Sequence, residues 1–198
     1  YPDFELIVVN DASPDHTDEV VKRYTDPRIK YILHEQNKGL PATRNSGMRA
    51  ATGDYIALLD SDDYFHPQKL EAHAAFLAQH PEIAVTYNAR FELNYSDTTI
   101  RNLSRPPLTV GLKDLLCGYP FAPSDMVIRR SAIDEVGYFD ELYRNGGEDM
   151  EYPAMLALAG CKFASVDRVL NYRRHHSGLY RKKLDARIKD VELALEKI

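Results

Sequence analysis

The stretch that decides the fold is Gly53-Asp54-Tyr55-Ile56-Ala57-Leu58-Leu59-Asp60-Ser61-Asp62-Asp63. Its middle is a short apolar run that predicts a buried strand, and the strand ends in three carboxylates within four residues. Ligands of open α/β sheets collect where strands end in this way. Because adjacent carboxylates repel one another, a divalent cation such as Mg²⁺ or Mn²⁺, or solvent, has to offset their charge. The alternative is a solvated acidic turn that caps the helix after Pro67.

Strand and helix patterns alternate on both sides of this stretch. We predict strands at 4–9, 29–33, 55–59, 83–93 and 125–129, and helices at 17–24, 39–51, 68–79, 131–136 and 148–159. The alternation predicts an α/β fold of one domain, with a mostly parallel central sheet and helices on both faces. Residues 94–107 are polar and end in two prolines, so we expect an irregular loop there.

Composition narrows the class of protein. The chain has 198 residues, 44% of them hydrophobic and 28% charged, which suits one folded domain without a membrane-spanning helix. A net charge of -5 argues against nucleic acid as a partner. Cys117 and Cys161 lack the spacing of a zinc site or a disulfide scaffold, which favours reduced thiols. We therefore predict a cytoplasmic protein, with peripheral attachment to the inner face of the membrane as the alternative location.

Two loops besides the acidic one carry candidate ligand-binding residues. Asn10 and Asp11 follow the first strand and can hydrogen-bond a base or ribose, although an ordinary turn and helix cap is the simpler explanation when this motif is taken alone. Lys38 and Arg44 lie near the start of the 39–51 helix, where cations oppose the helix dipole. A nearby anion such as a phosphate makes better sense of them than two solvated cations do.

Two later segments carry further candidates. In Gly147-Glu148-Asp149 a carboxylate follows a glycine at a helix start, which suits a general base, although acids are also common in first turns for structural reasons. In Tyr172-Arg173-Arg174-His175-His176 the basic side chains can reach a metal or a phosphate, or form a solvated basic stretch.

Taken together and in this order, the segments resemble the inverting glycosyltransferases of family 2, which have the GT-A fold. The resemblance extends from Phe4 to about Ser177. It implies a nucleotide-sugar donor, most simply a UDP-sugar, and a glycan or lipid-linked acceptor in cell-surface polysaccharide or glycolipid synthesis. It also implies a donor half at 1–93, an acceptor half at 94–180 and a C-terminal helix at 181–198.

The resemblance assigns roles to individual residues. It implies that Asp11 contacts the nucleotide base, that Asp60 lies near the ribose and that Asp62, in the Asp-x-Asp motif, holds Mn²⁺ or Mg²⁺ on the diphosphate. Asp149 would be the catalytic base that deprotonates the acceptor hydroxyl, and His175 would reach the metal or diphosphate. Donor binding would further involve Asn10, Lys38 and Arg44. The implied reaction is a direct displacement that inverts the anomeric carbon.

The sequence departs from the family pattern in three ways. Asn10 replaces a common aspartate, the opening strand and helix of the family are missing, and a chain without tryptophan lacks the Gln-x-x-Arg-Trp signature of processive synthases. We therefore expect an exposed strand edge and transfer of a single sugar. The alternatives are a sugar-phosphate nucleotidyltransferase and a non-catalytic module that binds a nucleotide sugar or calcium. Oligomeric state and donor sugar stay open.

Overall fold

The computed structural model describes residues 1–118, 120–144 and 146–175. The strands are β1 (Leu6–Asn10), β2 (Ile29–Leu33), β3 (Tyr55–Ala57), β4 (Tyr64–Phe65), β5 (Val85–Asn94), β6 (Ile100–Ser104), β7 (Val127–Arg129) and β8 (Phe163–His175). The helices are α1 (Thr17–Val21), α2 (Leu40–Ala50), α3 (Lys69–Gln79), α4 (Leu112–Cys117), α5 (Arg130–Val136) and α6 (Glu148–Leu158), with a 3-10 helix at Pro123–Asp125. Every strand and helix predicted within the described residues has a counterpart, so the α/β class is confirmed.

The strands form two sheets. Strands β1 and β2 pair in parallel, and the larger sheet has the order β3-β7-β5-β8-β4, with β6 pairing to β5. Within the larger sheet only β5 and β8 run parallel, and the other four pairings are antiparallel. The prediction of a mostly parallel central sheet is therefore wrong for this sheet. Helical patterns between consecutive strands predicted parallel crossovers, whereas β4 follows β3 through the short acidic stretch, β7 follows β6 through α4 and the 3-10 helix, and both run against their neighbours.

The hydrophobic core lies where helix α6 packs against the larger sheet. Tyr152 and Leu156 are four residues apart, so both lie on one face of α6, and both are buried. The ring of Tyr152 stacks on Phe139 with 4.1 Å between centroids, and Tyr87 of β5 stacks on Phe121 at 4.5 Å. Truncating Leu156 to alanine in such a core costs about 2–5 kcal/mol. This packing fixes the start of α6 relative to the ends of the strands.

Two segments differ from the sequence prediction. The predicted loop 94–107 contains β6, which pairs antiparallel to β5 and forms a hairpin at the sheet edge. The basic stretch around Tyr172 is the end of β8, a strand of 13 residues that lies between β5 and β4. A polar strand at an edge or next to a binding site lacks the alternating apolar pattern, and its partners decide its structure.

The proposed division at residue 93 does not coincide with a break in the sheet. Strand β5 runs through residue 94 and pairs with β7 and β8, which come later in the chain. The two halves therefore share one sheet, and their assignment to donor and acceptor stays a prediction. The predicted C-terminal helix at 181–198 lies outside the described residues.

Candidate functional site

The acidic turn, Asp60–Asp63, connects β3 to β4 and is held by contacts from three directions. The amide of Asp63 donates to the carbonyl of Asp60 at 3.0 Å, which closes the turn. The amide of Asp60 donates to Oγ of Ser124 at 3.0 Å. From β8, the amide of Arg174 donates to Oδ1 of Asp63 at 3.2 Å, and its Nε donates to the carbonyl of Asp62. The turn is thus fixed at the edge where β3, β4 and β8 come together.

Charge repulsion within the acidic turn is visible at Asp63, whose side chain is buried. Burial, reinforced by the charges of Asp60 and Asp62, raises the pKa of Asp63 to about 6. A hydrogen bond from Ser124 opposes this rise because it favours the ionised carboxylate. Asp60 keeps 31% of its side-chain surface exposed, so the turn presents carboxylate to solvent on one side.

Arg44 of α2 joins the acidic turn to the start of α6. Its Nη2 donates to Oδ1 of Asp60 at 2.8 Å, and its Nη1 donates to Oε1 of Glu148 at 2.9 Å. The Arg44 side chain is only 8% exposed. Although burial works against the charge, the two carboxylates raise the pKa of Arg44 above its ordinary value. The anions beside Arg44 in the structure are two carboxylates of the protein itself, and its part in donor binding stays a prediction.

The bridge from Arg44 brings Asp149 to the same place, because Asp149 follows Glu148 in the first turn of α6. Gly147 precedes that turn with φ at 101°, a left-handed conformation that a residue with a Cβ rarely adopts. Pro153 has no N–H and cannot donate the helix hydrogen bond to the carbonyl of Asp149. Burial, together with the charge of Asp149, raises the pKa of Glu148. Asp149 itself is partly exposed and accessible to a ligand.

The loop after β1 is built around Asp11. Its Oδ1 accepts hydrogen bonds from Nδ1 of His34 at 2.7 Å and from the Lys38 amide at 2.8 Å, and its Oδ2 accepts from the Gly39 amide at 2.9 Å. Partial burial opposes ionisation, but these bonds outweigh it and lower the pKa of Asp11. His34 also contacts Oγ of Ser46 through Nε2 at 2.9 Å. Asp11 therefore anchors the loop that leads into α2.

The neighbouring candidates in this loop have structural contacts. Asn10 is buried, and its side chain accepts from the Ser13 amide at 2.8 Å and donates to the Tyr31 hydroxyl at 2.9 Å. These are the contacts of a turn former, which the sequence allowed as the alternative. Lys38 is exposed, and its charge contributes to the lowered pKa of Glu141. The structure thus joins Arg44 to Asp60 of the acidic turn and to Glu148, the neighbour of Asp149, while Asn10 ends β1 and Lys38 lies between β2 and α2.

The end of β8 presents Arg174 to the acidic turn. The Arg174 guanidinium lies over the rings of Tyr64 and Tyr95, at 4.7 and 4.8 Å from their centroids. The ring of His175 contacts Glu92 of β5, with 3.2 Å between Nε2 and Oε2. Side chains alternate along a strand, which explains why Arg174 and His175 have different neighbours. The contact that joins this segment to the turn is therefore made by Arg174.

Residues 1–137 match the family model described as glycosyl transferase family 2. The chain belongs to glycosyl transferase family 2. Among relatives, EpsE of Bacillus subtilis (strain 168) is 35% identical over 135 residues, which cover 67% of this chain and 48% of EpsE. The Escherichia coli UDP-Glc:alpha-D-GlcNAc-diphosphoundecaprenol beta-1,3-glucosyltransferase WfaP is 27% identical over 180 residues, which cover 90% of this chain and 68% of WfaP.

A solved structure has a fold similar to that of this chain. S. aureus TarS 1-349 in complex with UDP-GlcNAc superimposes with a TM-score of 0.72 and 25% identity, over 88% of this chain and 50% of that one. The family 2 chain described here thus spans about half the length of EpsE and of this TarS fragment. In the part of the chain that the structure describes, no helix is both long and apolar enough to cross a membrane.

Whether a metal ion suits this family 2 site depends on the coordinating oxygens that a bound ligand contributes. Within the described residues, no three His, Cys, Asp or Glu side chains are grouped so that they hold a metal by themselves. Mg²⁺ in proteins commonly uses one or two carboxylates and completes its shell with phosphate oxygens and water. The acidic turn suits that kind of shared site, with Asp62 as the protein ligand, and does not form an all-protein cage.

Several residues that shape the site were not predicted as such. His34 orients Asp11, Glu148 pairs with Arg44, and Ser124 contacts both ends of the acidic turn. Each is distant in sequence from its partner, so no local pattern marks it. Only the excess of charged residues at the start of α6 gave a signal, and it did not tell Glu148 from Asp149.

Proposed function

We propose that this chain is the catalytic domain of an inverting glycosyltransferase that moves a sugar from a UDP-sugar to an acceptor hydroxyl. The observation that carries the proposal is the Arg44 bridge, which joins Asp60 of the acidic turn to Glu148 beside Asp149. The acidic turn, which suits a donor diphosphate, and the start of α6, which carries the carboxylate suited to a base, therefore belong to one site. Support also comes from TarS, solved with UDP-GlcNAc, and from WfaP, named for a UDP-Glc donor.

In this proposal Asp149 is the general base. It is partly exposed at the first turn of α6, and a positioned carboxylate that takes a proton from the attacking hydroxyl contributes about 10²–10⁴-fold to the rate. Glu148 is buried against Arg44 and is not free to serve. The acceptor oxygen attacks the anomeric carbon, the bond to the nucleoside diphosphate breaks, and the proton goes to Asp149.

We further propose that Asp62 binds Mn²⁺ or Mg²⁺ together with the donor diphosphate. Such an ion supplies positive charge that stabilises the departing diphosphate. The protein's own part is to hold the turn by Arg174 and Ser124 so that Asp62 faces the ligand. The acceptor in this proposal is a glycan or a lipid-linked sugar. The name of the relative WfaP includes such a lipid-linked sugar, alpha-D-GlcNAc-diphosphoundecaprenol. On the donor side, Asp11 contacts the nucleotide base in this proposal, Lys38 binds the donor, and His175 reaches the metal or diphosphate.

The first experiment is calorimetry of UDP binding with and without Mn²⁺. We expect metal-dependent binding by the unmodified chain, loss of at least tenfold in affinity for Asp62→Ala, and no change for Asp134→Ala, a matched exposed acid on α5. A folded chain that binds UDP equally well with and without metal, or equally well after Asp62→Ala, contradicts the metal assignment.

A second experiment tests the reaction. With water as the acceptor, slow hydrolysis of a UDP-sugar can be followed by proton NMR, and the first-formed sugar is expected to have the inverted anomeric configuration. Asp149→Asn should lower that rate by about 10²–10⁴-fold and leave UDP affinity within about threefold. Binding without any turnover would favour a non-catalytic nucleotide-sugar module, and retention of configuration would rule out the inverting mechanism.

A further inference from the structure

Lys69, the first residue of α3, is completely buried behind the acidic turn. Its relative exposure is 0%, and its Nζ donates to Oδ1 of Asn88 at 2.6 Å and to the carbonyls of Ser124 and Asp125 at 3.0 and 3.1 Å. Three acceptors match the three N–H donors of an ammonium group. Lys69 therefore ties α3 and β5 to the 3-10 helix Pro123–Asp125.

The neighbouring groups leave this arrangement little freedom. His73, one turn along α3, contacts Oδ1 of Asn88 through Nε2 at 3.0 Å and Oγ1 of Thr86 through Nδ1 at 2.8 Å. The carboxylate of Asp125 accepts from Nη1 of Arg90 at 2.6 Å and from the Ala122 amide at 2.8 Å. The Asp125 charge is thus already paired with a guanidinium, and the three hydrogen bonds of Lys69 go to neutral oxygens.

The Lys69 amine is costly to bury and is held by directed hydrogen bonds. Burial lowers the pKa of Lys69, to about 7, even though Asp125 and Asp63 act in the opposite direction. An apolar side chain in its place would avoid burying an amine but would take a donor away from three buried oxygens. Two of the three bonds go to the carbonyls of Ser124 and Asp125, so the amine fixes the backbone of the 3-10 helix.

Ser124 connects this buried group to the acidic turn. Its hydroxyl accepts from the amide of Asp60 at 3.0 Å and donates to the carboxylate of Asp63. One hydroxyl therefore touches both ends of the turn that carries Asp62, and the backbone that carries this hydroxyl is held by Lys69. The path runs over two links, from the Lys69 ammonium to the Ser124 carbonyl and from the Ser124 hydroxyl to the turn.

We propose that Lys69 is a positioning residue that sets the shape of the acidic turn through Ser124. This inference rests on the proposed function, because the turn is there the binding site of the donor diphosphate. Removing the Lys69 amine frees the 3-10 helix to shift, so the Ser124 hydroxyl no longer meets Asp60 and Asp63 together. We expect the acidic turn to lose its shape first. Strands β1 and β2 form a separate sheet, so their pairing should be unaffected.

The experiment compares four forms of the whole chain with the unmodified one: Lys69→Met, Ser124→Ala, the double variant, and Lys113→Met as a control at an exposed lysine. The first readout is amide hydrogen exchange by NMR without nucleotide. We expect exchange of the Asp60 amide to accelerate roughly tenfold in Lys69→Met and in Ser124→Ala, with the Val9 amide in β1 unchanged. Lys113→Met should match the unmodified chain at both amides.

The second readout is the UDP dissociation constant in the presence of Mn²⁺. It should rise roughly tenfold in each single variant and no further in the double variant, since both changes break one path. Two exchange results overturn the inference: unchanged exchange of the Asp60 amide in Lys69→Met, or faster exchange at Val9 and Asp60 alike, which makes Lys69 a general support of the fold. Affinity losses that multiply to roughly a hundredfold in the double variant overturn it as well.

The two proposals can fail separately. If the unmodified chain does not bind UDP, the proposed function fails, and the Asp60 amide still decides the role of Lys69. If UDP binds and Lys69→Met behaves like the unmodified chain, only the positioning role fails. Should Lys69→Met not fold, the same comparison is made on Lys69→Gln, whose shorter side chain has two N–H donors instead of three, and faster exchange at Asp60 with Val9 unchanged is again the expected result.

Discussion

Nη1 of Arg44 donates to Oε1 of Glu148 at 2.9 Å, although 104 residues separate the two in sequence. The Arg44 and Glu148 side chains are 8% and 5% exposed, so the pair is shielded from water. Breaking a buried pair leaves one charge without a partner, which costs far more than the pair contributes to stability. The bond therefore holds the first turn of α6, which carries Asp149, to α2.

Replacing Arg44 by methionine should destabilise the fold by about 3–5 kcal/mol, because Glu148 and Asp60 lose their shared cation. Urea unfolding monitored by circular dichroism measures this change. Arg49→Met is the matched control on the same helix, since the pair of Arg49 with Glu141 is half exposed and spans 3.5 Å. That control should cost no more than about 1 kcal/mol. Equal costs for the two variants would contradict the structural role of Arg44.

Glu5 should make stability depend on acid. Its carboxylate accepts from Lys30 and from the amides of Thr52 and Gly53, and despite burial these bonds lower its pKa from 4.5 to about 2. A lowered folded-state pKa gives stability that is complete above about pH 4.5 and lost as the pH falls towards 2. The difference between the unmodified chain and Glu5→Gln in urea unfolding should shrink over that window.

Lys30→Met serves as the control for Glu5, because it removes the ion pair and leaves the donors of Thr52 and Gly53 in place. It should therefore remove only part of the acid dependence. A difference between Glu5→Gln and the unmodified chain that stays constant from pH 7 to about pH 2 would show that the Glu5 pKa is not lowered.

His34→Leu should destabilise the loop that carries Asp11. The change leaves Oδ1 of Asp11 and Oγ of Ser46 without their buried partner, which costs about 1–3 kcal/mol. Thermal unfolding measures the loss, and His80→Leu is the control because the pair of His80 with Glu82 is about half exposed. If Asp11 contacts the nucleotide as proposed, UDP affinity should fall as well. An unaltered melting temperature in His34→Leu would contradict the anchoring role of His34.

Gly147→Ala should reduce turnover as well as stability. A Cβ at φ of 101° is strained, and such substitutions cost about 1–2 kcal/mol. Since Asp149 lies in the turn that follows, we expect hydrolysis of a UDP-sugar to fall more than UDP binding does. Gly53→Ala is the control, with 3.7 Å from the added Cβ to its nearest neighbour. Equal turnover in both variants would show that the position of Asp149 does not depend on the conformation of Gly147.

Much of the fold follows from local pattern. The apolar runs at β1 to β3 and the glycine before α2 are sufficient to predict strands, helices and the place of the acidic turn. Strand direction does not follow from local pattern, because the sequence of β7 does not indicate that this strand is antiparallel to both β3 and β5. Pairing is decided by which neighbours bury the strand, and that information is spread over the whole chain.

The site was predictable to the extent that its residues follow strands or begin helices. Asp60, Asp62 and Asp149 could be picked out in this way, whereas the partner of Arg44 could not. Helix position suggests an anion beside Arg44, and the sequence cannot tell a phosphate from two carboxylates that lie 16 and 104 residues away. Likewise the basic segment at 172–176 suggested His175 as a site residue, and the residue of this segment that hydrogen-bonds the acidic turn in the structure is Arg174.

The pairing of β5 with β8 has a consequence for the order in which the molecule assembles. Residues 85–94 meet residues 163–175 in this pairing, and a contact between segments so distant in the chain requires the closure of a long loop. Arg174, which clamps the acidic turn, belongs to the later of these strands. During synthesis residues 60–63 leave the ribosome more than a hundred residues before their clamp does. The turn is thus among the earlier parts to be made and among the last to acquire its final shape.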